Sequence, residues 1–151
     1  MFSSDEVLLE RPCSKMYLES VELVLTLLLS VEELQLLVHL DLKNMSSAEC
    51  YHHATKYICQ NKDVWEMFDS FVQKRLDPWI VLYRDKAPFD ICTLLSQKDK
   101  EVDIHEMSAL LWSLVHKGGK CPSKIYQYAY HRCRYLFRQK CITYPYQSAI
   151  A

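Results

Sequence analysis

Apolar residues recur along this chain at steps of three, four and seven, which is the spacing of helix faces and predicts helices almost throughout. In VELVLTLLLSVEELQLLVHLDL, residues 21–42, the S-x-x-E pattern of Ser30 and Glu33 is a capping box. It divides the run into a helix of about 16–29 and another of about 31–42. A second such signature, Ser46 with Glu49, opens a stretch free of proline and glycine. Its apolar positions 51, 54, 58, 65, 68, 72 and 76 predict one helix to Leu76. About 30 residues at 1.5 Å each give roughly 45 Å, longer than the roughly 38 Å diameter of a compact chain of this size, so the helix is expected to project.

Asp77-Pro78 is expected to end that helix and turn the chain back, because proline restricts the residue before it and suits the first turn of a new helix. The return path reads as helical pieces over about 78–85 and 88–97, the charged joint QKDKEVD, and a helix over about 103–117 with Leu110, Leu111, Trp112 and Val115. The expectation is an all-α chain with a long helical hairpin, or spike, over 46–117. Residues 1–45 supply packed N-terminal helices, 122–140 a C-terminal contact helix and 141–151 an extended arm.

Such a hairpin carries a second apolar row, Tyr57, Val64, Met67 and Phe71, that it cannot cover itself. Two covers remain open. The same hairpin from a second subunit would give a dimeric four-helix bundle, with Tyr51, Ala54, Ile58, Trp65, Phe68, Phe71 and Val72 between the subunits. Alternatively, the leucine-rich helices fold over and bury everything within one monomer.

Beyond the hairpin, Gly118-Gly119 suits a helix end and Pro122 a helix start. On the helix over 122–139, Lys124, Gln127, His131, Arg134 and Arg138 form a polar stripe. Ile125, Tyr128 and Leu136 lie on one side of it and Tyr126, Tyr130 and Phe137 on the other. Two apolar sides predict two contacts, the chain's own core and a neighbour. The segment from Ile142 through Tyr144-Pro145-Tyr146 reads as extended, with rigid aromatic groups suited to low-entropy contacts.

Composition narrows the function. With 151 residues, 18 basic and 19 acidic side chains, the chain has no overall field to attract nucleic acid or an anionic membrane. Seven cysteines, an odd number without a C-x-x-C pair or a signal peptide, argue against a secreted disulfide scaffold. The leucine run holds only nine uncharged residues in a row, Leu23–Val31, where a membrane span needs about 20. Cys50, His52, His53 and Cys59, or Cys121, His131 and Cys133, invite a metal reading. Adjacent helical ligands such as His52 and His53 point about 100° apart, however, and buried free cysteines are the commoner outcome. No phosphate loop, G-x-S-x-G or H-E-x-x-H occurs, so neither an enzyme nor a cofactor is expected.

The order of motifs resembles the hepadnavirus core (capsid) protein family, including its relatives from non-enveloped fish viruses. The residues concerned are Val21-Glu22-Leu23, the break at Ser30, Cys50-Tyr51-His52-His53, Asp77-Pro78, Leu110-Leu111-Trp112, a helix around Tyr128, Arg138 and Tyr144-Pro145. The resemblance implies a non-enzymatic capsid protein that dimerises through the spike and assembles into an icosahedral nucleocapsid around the viral genome. It would be found in the virion and in the host cytoplasm and nucleus. It also implies contacts between dimers at Tyr128, Arg132, Tyr135, Arg138, Tyr144 and Pro145, received in a pocket that includes Val31 and Trp112. Lys62 stands where the family can have a cysteine on the dimer axis, so no disulfide there is implied. The basic tail through which the family meets nucleic acid is not in this sequence. A second resemblance, of LDPWIVLYRDKAPFDI to the second homology motif of Bcl-2 proteins, would imply a regulator that binds an amphipathic partner helix in a groove.

Overall fold

In the computed structural model, which describes residues 14–95, 103–117 and 123–143, the described residues form seven α-helices and no strand. They are α1 (Ser14–Leu28), α2 (Val31–Val38), α3 (Ser47–Gln60), α4 (Lys62–Tyr83), α5 (Pro88–Leu95), α6 (Ile104–Lys117) and α7 (Ser123–Thr143).

The α1–α2 corner forms where the sequence signals it. Ser30 Oγ accepts the Glu33 N–H while the Glu33 carboxylate accepts the Ser30 N–H, both at 3.2 Å, which completes the capping box. Two distant residues fasten the corner. The Arg75 guanidinium donates to the Leu28 carbonyl and, at 3.2 Å, to Glu33; the buried Tyr51 hydroxyl donates to the Leu29 carbonyl. Hydrogen bonds from the Ser30 backbone, helped by Arg75 against partial burial, hold the Glu33 carboxyl below its usual range. Helix α2 ends earlier than expected, at Val38, because His39 takes a left-handed conformation (φ 54°) and its N–H caps the Gln35 carbonyl at 3.1 Å.

The single helix expected over 47–76 is two helices. Ser46 caps α3 by accepting the Glu49 N–H, and the chain breaks at Asn61, whose backbone is extended (φ −121°, ψ 110°). The Asn61 amide donates to the Tyr57 carbonyl at 2.8 Å, and its own carbonyl accepts the Trp65 N–H at 2.8 Å. One side chain thus competes with the helical ladder, closing α3 while the same residue opens α4. Asp77-Pro78 is no turn: Pro78 lies inside α4, which continues to Tyr83. The missing proline N–H leaves the Lys74 carbonyl without its helical donor, but both residues are exposed and water can replace it. The chain reverses only after Tyr83, through 84–87.

Helix α6 is the centre of the fold. Every residue from Met107 to Val115 is buried, and the helix packs on α1, α4 and α7. Helix α4 gives it Phe68, Val72, Leu76, Ile80 and Tyr83, all buried. Helix α1 gives the core Val21, Val24, Leu25 and Leu28 and also meets α3 and α7. The leucine-rich α1 and the central α6 help bury the stripe of Tyr51, Ala54, Ile58, Phe68, Val72 and Leu76 within the chain, whereas the second row stays partly open, with Tyr57, Val64 and Phe71 half-buried and Met67 exposed. At the C-terminal end, α7 runs through Ile142 and Thr143, which were expected in an extended arm.

Candidate functional site

Helix α7 presents a split aromatic surface. Ile125, Tyr126, Ala129, Tyr130 and Cys133 are buried on its inner side, with Leu136 and Phe137 packed partly against the core. Burial in apolar surroundings pushes the Cys133 thiol far up, so it stays protonated as a small apolar group. On the outer side Tyr128 and Tyr135 are 43% and 57% exposed. Arg132, half-buried, stands between them in sequence at helical spacing, so the three form one ridge, with the exposed Arg138 at its edge.

Beside this ridge a cleft of about 640 Å³ opens between α1, the start of α3 and α7. Glu19 and Glu22 line it from α1, Arg134 and Arg138 from α7, and Leu23, Tyr51 and Phe137 add apolar surface. Glu22 also pairs with His52 at 3.0 Å. The Arg134 guanidinium lies 5.7 Å from the centre of the Tyr130 ring. Burial and the neighbouring Glu19 carboxylate raise the Tyr130 hydroxyl above its usual range. The cleft therefore has an acidic bank, a basic bank and a partly apolar lining, a combination that orients a polypeptide segment rather than one small ion.

A second polar cluster joins α4 to α6. Asp69 Oδ1 accepts from Trp112 Nε1 at 2.9 Å, His116 Nε2 at 2.8 Å and Gln73 Nε2 at 3.0 Å. His116 Nδ1 lies 2.9 Å from the Trp112 carbonyl. A carbonyl and a carboxylate only accept, so this arrangement is complete when both ring nitrogens carry hydrogen. Burial alone would raise the Asp69 carboxyl, but the bonds from His116, Gln73 and Trp112 outweigh it and hold the group below its usual range. Trp65 stacks on Trp112 at 5.4 Å. A smaller cavity of about 170 Å³ adjoins, lined in part by Arg84, Trp112, Ser113 and His116. Ser113, His116 and Asp69 gather here, yet Ser113 Oγ donates to the Ala109 carbonyl at 2.8 Å.

The residues assigned to a subunit interface by sequence are distributed differently. Tyr51, Ala54, Ile58, Phe68 and Val72 are buried within this chain, with Tyr51 reaching the wall of the α1–α3–α7 cleft. Tyr51 is the fastener of the α1–α2 corner, and burial, with the nearby Glu32 and Glu33 carboxylates, pushes its hydroxyl up to about 12. Trp65 and Phe71 are half-buried, Phe71 under the Arg75 guanidinium at 4.9 Å. Trp112 is in the core, and Val31, at the start of α2, lines neither cleft. Tyr128, Arg132, Tyr135 and Arg138 come together on α7; Tyr144 and Pro145 lie outside the described residues. Asp69 and His116 escaped the sequence reading, although Trp65-x3-Asp69 and Trp112-x3-His116, each at one-turn spacing, were a usable signal. Among the described residues no three of His, Cys, Asp and Glu are placed to hold a metal ion, and no helix is long and apolar enough to cross a membrane. No known protein family, curated protein or solved structure matches this chain.

Proposed function

We propose that this chain is a structural protein that dimerises and then assembles, through α7, into a closed shell of the kind formed by hepadnavirus core proteins, enclosing nucleic acid in a virion. The carrying observation is the outward row Tyr128–Arg132–Tyr135: two tyrosines and an arginine, the residue types that most often dominate protein interfaces, held on a rigid helix away from the core. The order of motifs resembling that family supports the same reading. Dimerisation across a two-fold axis remains part of the proposal, with the outer side of α4, where Met67 and Val81 are exposed, as the surface offered to the second copy. The groove-binding alternative has less behind it: the segment resembling the Bcl-2 motif gives Ile80 and Arg84 to the cavity of about 170 Å³, too small to seat a helix, and no residue to the cleft of about 640 Å³.

Arg132, Arg134 and Arg138 crowd the proposed contact, so like-charge repulsion opposes association until it is screened. Salt shortens the Debye length from about 10 Å at 0.1 M to about 3 Å at 1 M, and assembly is expected to rise over that range. The test combines light scattering and electron microscopy with circular dichroism. Tyr128→Ala and Tyr135→Ala, at exposed positions, are expected to melt within about 0.5 kcal/mol of the parent and to form no shells. Variants that assemble like the parent, or parent shells that dissolve as salt rises, would sink this reading of α7.

A further inference from the structure

The cavity of about 170 Å³ between α4 and α6 has an apolar wall and a basic mouth. Ile80 and Trp112, both buried, supply the apolar wall, and the exposed Arg84 and half-buried Lys117 supply the cations. Gln73, Ser113 and His116 complete the lining, and no carboxylate belongs to it among the described residues.

Most polar atoms of that lining already have partners. Gln73 Nε2 donates to Asp69 and Ser113 Oγ to the Ala109 carbonyl, while the two His116 nitrogens face Asp69 and the Trp112 carbonyl. Lys117 Nζ donates to the Lys86 carbonyl, which uses one of its three hydrogens. Arg84 enters no ion pair among the described residues. The donors that remain are therefore the Arg84 guanidinium and two ammonium hydrogens of Lys117. Both carry positive charge, beside a space bounded by an indole and a branched aliphatic chain.

We propose that this cavity binds a small organic anion with an apolar body, of the class of an aromatic monocarboxylate such as benzoate. Size sets the body: an apolar cavity of about 150 Å³ holds a benzene ring, so this one has room for a single ring with its carboxylate at the mouth. Charge sets the head. The planar guanidinium of Arg84 matches the two oxygens of a carboxylate, and Lys117 adds a point charge. An inorganic anion would leave Ile80 and Trp112 uncovered, and a neutral ring would leave both cations unmatched. The Asp69 carboxylate, which would repel an anion, is turned to Trp112, His116 and Gln73 and does not line the cavity. The pocket implied by the core-protein resemblance would include Val31, which lines no part of this cavity, so the site is separate from it and independent of the shell reading.

Calorimetric titration of the full chain with sodium benzoate, at an ionic strength held constant with sodium chloride, is expected to show one site with a dissociation constant of about 1 mM or below. The same titration followed by nuclear magnetic resonance is expected to move the Trp112 indole N–H signal more than that of Trp79. Benzoate is also expected to raise the melting temperature, since a ligand touching both α4 and α6 binds the folded chain alone. Arg84→Gln, at an exposed position, is expected to keep the parent's circular dichroism and to weaken benzoate at least about tenfold. Lys117→Gln is expected to weaken it about threefold or more. Lys43→Gln, which removes a charge from an exposed position outside the cavity, is expected to bind like the parent. No heat of binding up to about 10 mM benzoate, or an Arg84→Gln variant that binds like the parent, would overturn the proposal. Benzyl alcohol binding as tightly as benzoate would show that the cations select nothing, and inorganic phosphate doing so would show that the apolar wall selects nothing. Either result would overturn the assigned ligand class.

Discussion

Replacing Asp69 removes an acceptor on which donors from α4 and α6 converge. In Asp69→Ala, the Trp112 Nε1–H loses its partner in a residue only 1% exposed, and an unsatisfied buried donor costs about 1–3 kcal/mol. The pair with His116 contributes less, because its ring is 38% exposed; screening limits such a pair to about 0.2–1 kcal/mol. Together the loss is about 1–4 kcal/mol, and for a chain of this size each kcal/mol lowers the melting temperature by about 2–4 °C. Asp69→Asn keeps an oxygen for Trp112 and loses only the charge, so it is expected to cost under about 1 kcal/mol. The pH dependence follows from the direction of the shift. The Asp69 carboxyl is held below its ordinary value of 3.8, so its contribution is full above that value and is lost as pH falls through the lowered native one. Asp69→Asn is expected to flatten that part of the acid profile. Urea unfolding followed by tryptophan fluorescence, repeated across pH, reads all three quantities. An Ala variant within about 0.5 kcal/mol of the parent, or Ala and Asn variants of equal stability, would refute the convergence on Asp69.

Two further substitutions separate this fold from the one expected by sequence. Pro78→Ala restores a donor inside α4, and since proline is about 3 kcal/mol worse than alanine in a helix interior, less about 0.4–1 kcal/mol of unfolded-state freedom, thermal unfolding is expected to show stabilisation of at least about 1 kcal/mol; a destabilised variant would place a turn at Asp77-Pro78. Phe68→Ala removes a ring 1% exposed within the chain and is expected to cost about 3–5 kcal/mol, with a melting-temperature drop that is the same at two protein concentrations a decade apart. A drop that depends on concentration would put Phe68 at a subunit contact.

Local signals in this sequence were legible where the physics is local. The Ser30–Glu33 box, the Ser46 cap and the helix over 104–117 formed close to where they were read, because each depends on side chains within one turn or on an uninterrupted apolar run. The break at Asn61 was hidden because Ile58 and Trp65 are seven residues apart, so the apolar period passes through it unaltered. Asparagine is only mildly unfavourable in a helix, and its amide bond to the Tyr57 carbonyl cannot be read from spacing. Pro78 misled for the opposite reason. The rule that proline ends a helix is local, whereas Leu76 and Ile80, buried on either side of it, hold α4 against α6 through the position.

The candidate site was harder to read because periodicity says which side chains need cover and not which chain supplies it. Tyr51, Ala54, Ile58, Phe68 and Val72 form a stripe equally suited to a neighbour or to the chain's own core, and the decision rests with α1 and α6, distant in sequence. Once those helices cover the stripe, what remains outside becomes informative. On α7 the core takes Tyr126 and Tyr130 and leaves Tyr128 and Tyr135; on α4 it takes Phe68 and Ile80 and leaves Met67, Val81 and Leu82. Neither remainder is needed for the packing of this chain, and each exposes large apolar side chains to water on a rigid helix, a cost that association with another surface removes.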